Sequence, residues 1–314
     1  MYLVISALSL HPIFINPRGY RGYDTTGPIP MSIQTLTFHE MWDINKGDTQ
    51  KPQEVDRGMI RSILVSVGNA KHEVAAFEYA LNLAKGLNAF LVCAAFPGEI
   101  EDEEKFNPDL LAAETFVTVR EECREAGVRY ETSVVPGKRA PEICRMGRMV
   151  DLIAVGMPEE IKTKGLELIY NEIDDILIDS SKPVLVVHEN CLELTRILIV
   201  HRGDNYSDRA LELATELSER LNVELTGLAI ADTVPESNSI AKDMLTYFRF
   251  RGLDVEVDTE LGFTVANIIE TADKKECDLI ALGASRRGKL YEAIFNSTTD
   301  TVAKLANRAV LVCK

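Results

Sequence analysis

Short, nearly continuous runs of apolar residues recur along the chain, and more polar segments separate them. The clearest runs are Ile63–Val67, Leu152–Val155 and Val184–Val187. Because these runs do not alternate apolar with polar positions, they are typical of parallel strands covered on both faces rather than of strands with one face in water. The pattern therefore predicts buried strands of a parallel sheet.

The segments between the runs carry apolar residues at helical spacing, which predicts helices packed on the sheet. These positions are Ala76, Ala80, Leu83 and Leu87 in one segment and Ala210, Ala214, Leu217 and Leu221 in a later one. The tripeptide Asn107-Pro108-Asp109 has the capping residue, first-turn proline and early acid expected where a helix begins. Alternating strands and helices predict right-handed crossovers and an open parallel sheet.

The chain contains an internal duplication, which has to be recognised before a fold is assigned. The matching segments are 61–65 (RSILV) with 195–199 (TRILI), 151–156 (DLIAVG) with 278–283 (DLIALG), and 183–187 (PVLVV) with 309–313 (AVLVC). The order is the same in both copies and the offset shifts by only a few residues, which chance does not produce. The sequence therefore predicts two structural repeats.

These patterns predict an α/β protein with two tandem open five-stranded parallel sheets flanked by helices, a Rossmann-like arrangement. The predicted domains are residues 58–190 and 191–314, with an irregular leader at residues 1–57. The linker between the repeats, about Glu189 to Thr195, is short. We therefore expect the two repeats to pack together.

The leader mixes prolines, glycines and aromatic residues without a period, and it holds the only tryptophan, Trp42. That composition is typical of irregular or disordered chain. Met31 and Met59 are both candidates for the true start of the protein, since Met59 lies just before the first predicted strand. The apolar stretch Met1–Ile15 lacks a basic beginning and contains a proline, so it is not interpreted as a signal peptide.

The composition disfavours several function classes. The chain has 34 Lys and Arg against 49 Asp and Glu, a formal net charge of −15, so long-range repulsion argues against a nucleic-acid partner. No apolar run approaches the roughly 18 residues of a membrane span. The six cysteines form no C-x-x-C pair, which predicts reduced, mostly buried thiols in a cytoplasmic protein rather than a zinc or redox site.

A basic loop in the second repeat is the most suggestive candidate site on this acidic background. Open parallel sheets bind ligands beyond the carboxyl ends of their strands, where the strand order reverses. The loops at that place are Arg202-Gly203-Asp204 and residues 283–289 (GASRRGK), followed by a helix bearing Asn296-Ser297-Thr298. Glycine backbone, arginine and hydroxyl donors suit a phosphate, so we predict an anion site. The alternative is that surface arginines merely balance acidic neighbours.

The equivalent loop of the first repeat has the opposite character. It reads Gly156-Met157-Pro158-Glu159-Glu160, with Gly68-Asn69 after the first strand. The two glutamates would repel a phosphate, and the proline removes one backbone donor. The sequence therefore predicts that the first repeat has lost its nucleotide site and carries a solvated loop there.

The stretch 283–302 (GASRRGKLYEAIFNSTTDTV) and the final AVLV resemble the C-terminal signature of universal stress proteins. The openings ILVSV and ILIV of the two repeats are similar to that family as well. The resemblance extends from about residue 60 to residue 314 and does not include the leader. The resemblance implies a five-stranded parallel sheet of the adenine-nucleotide-hydrolase-like type, ATP binding in some members, and dimers formed through the last strand.

The resemblance to the ATP-binding members is partial. Gly283 fits the first glycine of their phosphate motif, whereas Arg286 stands at the second and Asn296 at the last. Arg202 stands where the family has an acidic residue that meets adenine. These replacements argue against tight ATP binding and leave two alternatives, phosphate contacts by arginine side chains or another anionic ligand. The predicted ligand contacts are Arg202, Gly283, Arg286, Gly288, Asn296, Ser297 and Thr298.

Three function classes follow. The leading one is a non-catalytic stress-response module whose second repeat binds ATP, with Mg²⁺, or another anionic nucleotide-like ligand. A weak ATP-hydrolysing enzyme is the second, but the loops at 68–70 and 202–204 lack a glycine- and serine-rich phosphate loop, and His201 has no identifiable partner. The third is a ligand-free interaction protein that assembles through its final strands, as a pseudo-dimer within one chain or as a homodimer.

Overall fold

The computed structural model describes residues 58–96, 108–158, 164–191, 193–284 and 298–314, and it describes side chains throughout these ranges except at 108–114 and 164–171. The leader predicted at residues 1–57 lies outside the described residues, so that prediction stays untested. The described chain consists of two successive repeats, and each repeat alternates strands with helices.

The first repeat contains β1 Ser62–Ser66, α1 Lys71–Leu87, β2 Phe90–Ala95, α2 Pro108–Ala126, β3 Tyr130–Val134, α3 Arg139–Gly147, β4 Leu152–Met157, α4 Lys164–Asp179 and β5 Val184–His188. The second repeat contains β6 Arg196–His201, α5 Asn205–Leu221, β7 Glu224–Ala231, α6 Val234–Arg251, β8 Glu256–Leu261, α7 Val265–Lys274, β9 Leu279–Gly283, α8 Thr298–Leu305 and β10 Ala309–Cys313. The element order is therefore the one that the sequence pattern predicts in both repeats.

The ten strands found in the described ranges form one sheet, in the order β3-β2-β1-β4-β5-β10-β9-β6-β7-β8. Neighbouring strands within each repeat are parallel. The repeats join through β5 and β10, which pair antiparallel with Leu311 opposite Leu185. The predicted five parallel strands of each repeat are confirmed, but the two sets are halves of one sheet, because their last strands pair with each other inside this chain, as the pseudo-dimer alternative describes.

An aspartate holds the start of the first strand in the same way in both repeats. The carboxylate of Asp151, before β4, accepts hydrogen bonds from the N–H group (3.1 Å) and the hydroxyl (2.9 Å) of Ser62. The carboxylate of Asp278, before β9, accepts them from the N–H groups of Thr195 (2.8 Å) and Arg196 (3.0 Å). Both aspartates open the DLIA motifs of the duplication, so the repeated motif preserves a structural contact.

Each face of the sheet has its own apolar core. Helices α1, α2, α5 and α6 contribute to one core through residues such as Leu83, Leu217 and Phe248. Helices α3, α4, α7 and α8 contribute to the other through residues such as Ile143 and Ile268. The central strands are consequently buried on both faces, which is why their sequences are continuous apolar runs.

Side-chain contacts join the repeats beyond the strand pairing. The ammonium group of Lys304 on α8 pairs with the carboxylate of Asp174 on α4 at 2.5 Å. Next to the β5–β10 junction, Nε2 of His188 lies 2.8 Å from the carbonyl oxygen of Ala303. The two repeats therefore form a single compact unit, as the short linker predicts.

All six cysteines lie in the described part of the chain and are free thiols, five of them buried and Cys144 partly exposed. The predicted unpaired and mostly buried thiols are thus confirmed. Among the helices that the structure describes, none combines the length and the apolar character that a membrane span requires.

Candidate functional site

The strand order of the second repeat reverses between β6 and β9. The chain runs from β6 outward to β7 and β8, and then returns to β9 on the opposite side of β6. Arg202 follows the last residue of β6, and Gly283 is the last residue of β9. Both predicted residues therefore lie at the switch point where open parallel sheets bind ligands.

Gly283 lets helix α5 approach the end of β9 very closely. A Cβ atom at this position would lie 2.6 Å from the backbone nitrogen of Ser207 and 2.6 Å from the carbonyl carbon of Tyr206. The first repeat has the same arrangement, since a Cβ at Gly156 would lie 2.0 Å from the carbonyl oxygen of His72. The glycine that the sequence assigned to a phosphate motif thus has a packing role in both repeats.

The side chain of Arg202 is held by contacts within the loop. Its Nη2 donates a hydrogen bond to Oδ2 of Asp204 at 2.5 Å, and its guanidinium carbon lies 4.4 Å from the centre of the Phe263 ring. Its Nε is buried and has no hydrogen-bond partner among the described residues. The positive charge is therefore partly neutralised and stacked on an aromatic face, while one donor stays unused.

Asp204 has two structural partners. It caps α5 by accepting hydrogen bonds from the N–H group and the hydroxyl of Ser207, both at 2.8 Å, and it also pairs with Arg202. Burial alone would raise the pKa of this carboxyl, but the hydrogen bonds from Arg202 and Ser207 outweigh burial and hold the pKa below its ordinary value. Asp204 is consequently a carboxylate at neutral pH and fixes the arginine beside the switch point.

His201, at the end of β6, has a partner that the sequence did not reveal. Its Nδ1 accepts a hydrogen bond from the N–H group of Gly203 at 3.0 Å, and its Nε2 lies 3.0 Å from Oδ1 of Asp208. The neutral ring therefore carries its proton on Nε2 and donates it to Asp208. Burial lowers the pKa of His201, and the carboxylate opposes this shift only in part. Both ring nitrogens are engaged, so neither is free to act as a base.

The start of helix α8 places Thr298, a third predicted contact residue, at the same end of the sheet as Arg202 and Gly283. The helix begins at Thr298, whose hydroxyl donates to the carbonyl oxygen of Phe263 at 3.4 Å, and the Thr299 hydroxyl donates to that of Gly283 at 3.2 Å. Arg202, Gly283 and Thr298 thus surround one end of the sheet together with Phe263. The other predicted contacts, Arg286, Gly288, Asn296 and Ser297, lie outside the described residues.

In the first repeat an internal ion pair lies at the equivalent end of the sheet. Nη1 of Arg139 lies 3.0 Å from Oε1 of Glu73, and each side chain is only 15% exposed. Arg139 also donates to the hydroxyl of Ser66 at 2.8 Å. The carboxylate of Glu73 lies over Gly68, where a Cβ atom would be 1.9 Å from Oε2. This pair takes up donors that a phosphate would use, in keeping with the predicted loss of a site here.

Sequence reasoning missed Phe263 and both ion pairs. Phe263 follows Gly262, which the duplication matches to Gly137, and the first repeat has Lys138 at the corresponding position. The only sequence signal for Phe263 was that the duplication aligns this aromatic residue with Lys138 of the first repeat. Among the described residues, no three His, Cys, Asp or Glu side chains cluster to hold a metal ion.

Comparisons with known proteins agree with this architecture. Residues 193–314 match the family model described as the universal stress protein family. No curated protein matches the chain in sequence. A universal stress protein structure from Archaeoglobus fulgidus DSM 4304 covers 81% of this chain and 98% of its own, with a TM-score of 0.69 and 20% identity.

Two further solved structures share the arrangement of both repeats. A functionally unknown protein from Pseudomonas aeruginosa PAO1 covers 81% of this chain and 92% of its own, with a TM-score of 0.60 and 18% identity. The cytoplasmic domain of a prokaryotic cation chloride cotransporter covers 81% and 95%, with a TM-score of 0.51 and 13% identity. At these identities the structures show the fold alone.

Proposed function

We propose that this chain, whose residues 193–314 match the model of the universal stress protein family, is a non-catalytic cytoplasmic stress-response module that binds one small anionic, nucleotide-like ligand. The ligand site is the switch point of the second repeat. The observation that carries the proposal is the convergence of Arg202, Gly283 and Thr298 at the carboxyl ends of β6 and β9. ATP, accompanied by Mg²⁺ on its phosphates, is the first candidate ligand.

The described groups suit a phosphate. Helix α8 begins at Thr298, and the positive end of a helix dipole attracts an anion. Arg202 has an unused donor in Nε, whereas its Nη2 donates to Asp204. The sequence assigns Arg286 and Gly288, which precede α8 in the chain, to the same contact. Bidentate arginine and helical N–H groups are the usual partners of a phosphate.

The contacts of both ring nitrogens of His201 support a non-catalytic role. Its Nδ1 accepts from Gly203 and its Nε2 faces Asp208, so the histidine nearest to the site cannot take a proton without losing a hydrogen bond. A general base needs a free nitrogen within hydrogen-bonding distance of the proton it removes. We therefore propose that a bound nucleotide acts as a regulatory signal and is not turned over.

A ligand-free interaction protein is the second candidate, and one observation favours it. An arginine at the carboxyl ends of the strands is paired with an acid of its own repeat in both halves, Arg202 with Asp204 and Arg139 with Glu73. An anion would have to compete with Asp204 for the guanidinium group. A nucleotide-binding module should bind a nucleotide in a titration, whereas a ligand-free interaction protein should bind none.

A thermal-shift titration with ATP, ADP, AMP and cyclic AMP, with and without Mg²⁺, tests the proposal. A ligand at ~100 times its Kd adds about 2.7 kcal/mol to the folded state, a rise in Tm of roughly 5–10 °C for a chain of this size. We expect a saturable rise with one nucleotide, its loss in Arg286→Glu, and its retention in the control Arg249→Glu, which reverses the charge of an exposed arginine on α6.

Phosphate release should be measured in the same samples, because turnover of ATP would contradict the non-catalytic role. The absence of a shift with all four nucleotides would replace this proposal with the ligand-free interaction protein.

A further inference from the structure

A cleft of about 310 Å³ lies between the two repeats, at the end of the sheet opposite to the proposed anion site. Its walls come from the second half of α1, the linker before β6, and the end of α5. The main lining residues are Tyr79, Asn82, Leu83, Glu193, Leu194 and Leu221. Nothing in the proposed function uses this cleft.

Because the chain is duplicated, the cleft can be compared with the equivalent place in the other repeat. Helix α1 begins at Lys71 and α5 at Asn205, so equivalent residues of the two repeats differ in number by 134. The place equivalent to the cleft is formed by α5, the segment before β1, and the end of α1. That place is closed, and the structure shows which side chains close it.

Two charged side chains of α5 clamp the segment before β1. A carboxylate oxygen of Glu216 accepts a hydrogen bond from the N–H group of Met59 at 2.7 Å. The guanidinium group of Arg220 donates to the carbonyl oxygens of Ile60, at 3.5 Å, and of Leu87. Arg220 and Glu216 also pair with each other at 3.3 Å and are only 20% and 11% exposed, respectively. The clamp thus combines charge, hydrogen bonds and the aliphatic stem of an arginine.

The first repeat lacks both members of this clamp. Asn82 stands at the position of Glu216 and is exposed, and Gly86 stands at the position of Arg220. The carbonyl groups equivalent to those that Arg220 binds belong to Leu194 and Leu221, and both residues line the cleft. The Leu221 side chain packs over Gly86, where an added Cβ would lie 2.3 Å from Cδ2 of Leu221. Helix α1 therefore supplies no arginine to the carbonyl groups of the residues that line the cleft.

The base of the cleft contains an unsatisfied polar group. Tyr79 lines it and is only 3% exposed, and its hydroxyl has no hydrogen-bond partner among the described residues. Burial raises the pKa of this phenol, with smaller contributions from Cys191 and Asp278, so the hydroxyl stays protonated and neutral. The hydroxyl is closed off from solvent, so it lies beneath the wall of the cleft and not on its surface. Leu213 stands at the equivalent position of the closed place.

We propose that this cleft binds a small organic cation, a guanidinium or amine group on a short apolar stem, whose cationic head replaces the guanidinium group of the missing arginine. Its stem would pack against Leu83 and Leu221, and its cationic head would donate to the carbonyl groups at the cleft. The exposed carboxylate of Glu193 lies at the rim, and the net charge of −15 draws cations to the whole chain. The volume lies at the small end of the range for ligand pockets.

Calorimetric titration of the full chain with n-butylguanidinium tests this proposal, with n-butylurea as the neutral probe of the same shape. We expect saturable binding of the cation and at least roughly tenfold weaker binding of the urea, because hydrogen bonds from charged groups are stronger than neutral ones. Saturation with ATP should leave this binding unchanged, since the two sites lie at opposite ends of the sheet.

Three variants locate the probe. Glu193→Gln should weaken binding about fivefold, whereas Glu236→Gln, which removes an exposed acid of α6, should leave it unchanged. Asn82→Glu supplies the carboxylate that Glu216 provides in the other repeat, so it should strengthen binding about fivefold or more. The proposal is overturned if the two probes bind alike, if neither binds up to tens of millimolar, or if Glu193→Gln and Asn82→Glu have no effect.

Discussion

Replacing Gly283 with alanine tests how the sheet end is built. The new Cβ would lie 2.6 Å from two backbone atoms of α5, the nitrogen of Ser207 and the carbonyl carbon of Tyr206. Backbone atoms cannot rotate away as a side chain can, so β9 and α5 have to move apart. Overpacking of this kind costs about 1–3 kcal/mol, and we expect the upper end of that range, about 3 kcal/mol, because both contacts are with backbone.

Urea unfolding with linear extrapolation measures this loss, and a thermal scan should show a fall in Tm of roughly 6–12 °C. The matched control is Gly127→Ala. Gly127 has a φ of 70°, and a methyl group added there would have no described atom within 4 Å, so its variant should lose only about 1 kcal/mol to backbone strain.

If Gly283→Ala is as stable as Gly127→Ala, the close approach of α5 to β9 is not what requires a glycine. Gly156→Ala provides a second check, since its Cβ would lie 2.0 Å from the carbonyl oxygen of His72. We expect that variant to be at least as unstable as Gly283→Ala.

Three further predictions concern charged and titrating groups. Arg139→Ala leaves the carboxylate of Glu73 unpaired in a largely buried place, so it should cost about 2–3 kcal/mol in urea unfolding; adding Glu73→Ala should recover part of the loss, and a second loss of equal size would refute the pairing. Burial lowers the pKa of His188 below 6.5, so the folded state binds fewer protons than the unfolded state and stability should fall as the pH drops below about 6.5. His188→Asn should reduce this slope between pH 7 and pH 5, and an unchanged slope would contradict the assignment. The pKa of Asp204 is held below 3.8, so its stabilising effect is present above that pH and is lost as the pH falls through lower values; the stability difference between wild type and Asp204→Asn should therefore be constant from pH 7 to pH 5 and shrink below about pH 4.

The repeated strands and helices could be predicted because their physical causes are local. The apolar runs at 63–67 and 184–187 are continuous because these strands are covered on both faces, and the DLIA motifs recur because Asp151 and Asp278 hold the first strand of each repeat. The sequence left open where the last strands would pair. The sequence of an apolar edge strand indicates that another element covers the strand, but it does not identify that element. In this structure β5 and β10 pair with each other.

The candidate site could be predicted only in part. Its position follows from the rule for open parallel sheets, and Arg202, Gly283 and Thr298 do lie together. The stacking of Arg202 on Phe263 depends on how the loop after β6 faces the turn after β8, and no local pattern encodes that contact. The pairing of Arg202 with Asp204 lies within the loop after β6. The predicted contacts at Arg286, Gly288, Asn296 and Ser297 stay predictions.

The cleft beside Tyr79 was hidden for a different reason. Both repeats have similar apolar patterns on their first helices, and the difference between them lies in two polar positions, Asn82 and Gly86 in α1 against Glu216 and Arg220 in α5. Only the structure shows that the second pair clamps the neighbouring segment and that the first pair cannot do so.

The most direct test of the central claim is the stoichiometry of nucleotide binding, measured by calorimetric titration of ATP with Mg²⁺ into the full chain. The account predicts one site per chain, because the first repeat holds the pair Glu73–Arg139 at its sheet end, and it predicts loss of that site in Arg286→Glu but not in Arg249→Glu. Two sites per chain, or binding that Arg286→Glu leaves intact, would contradict it.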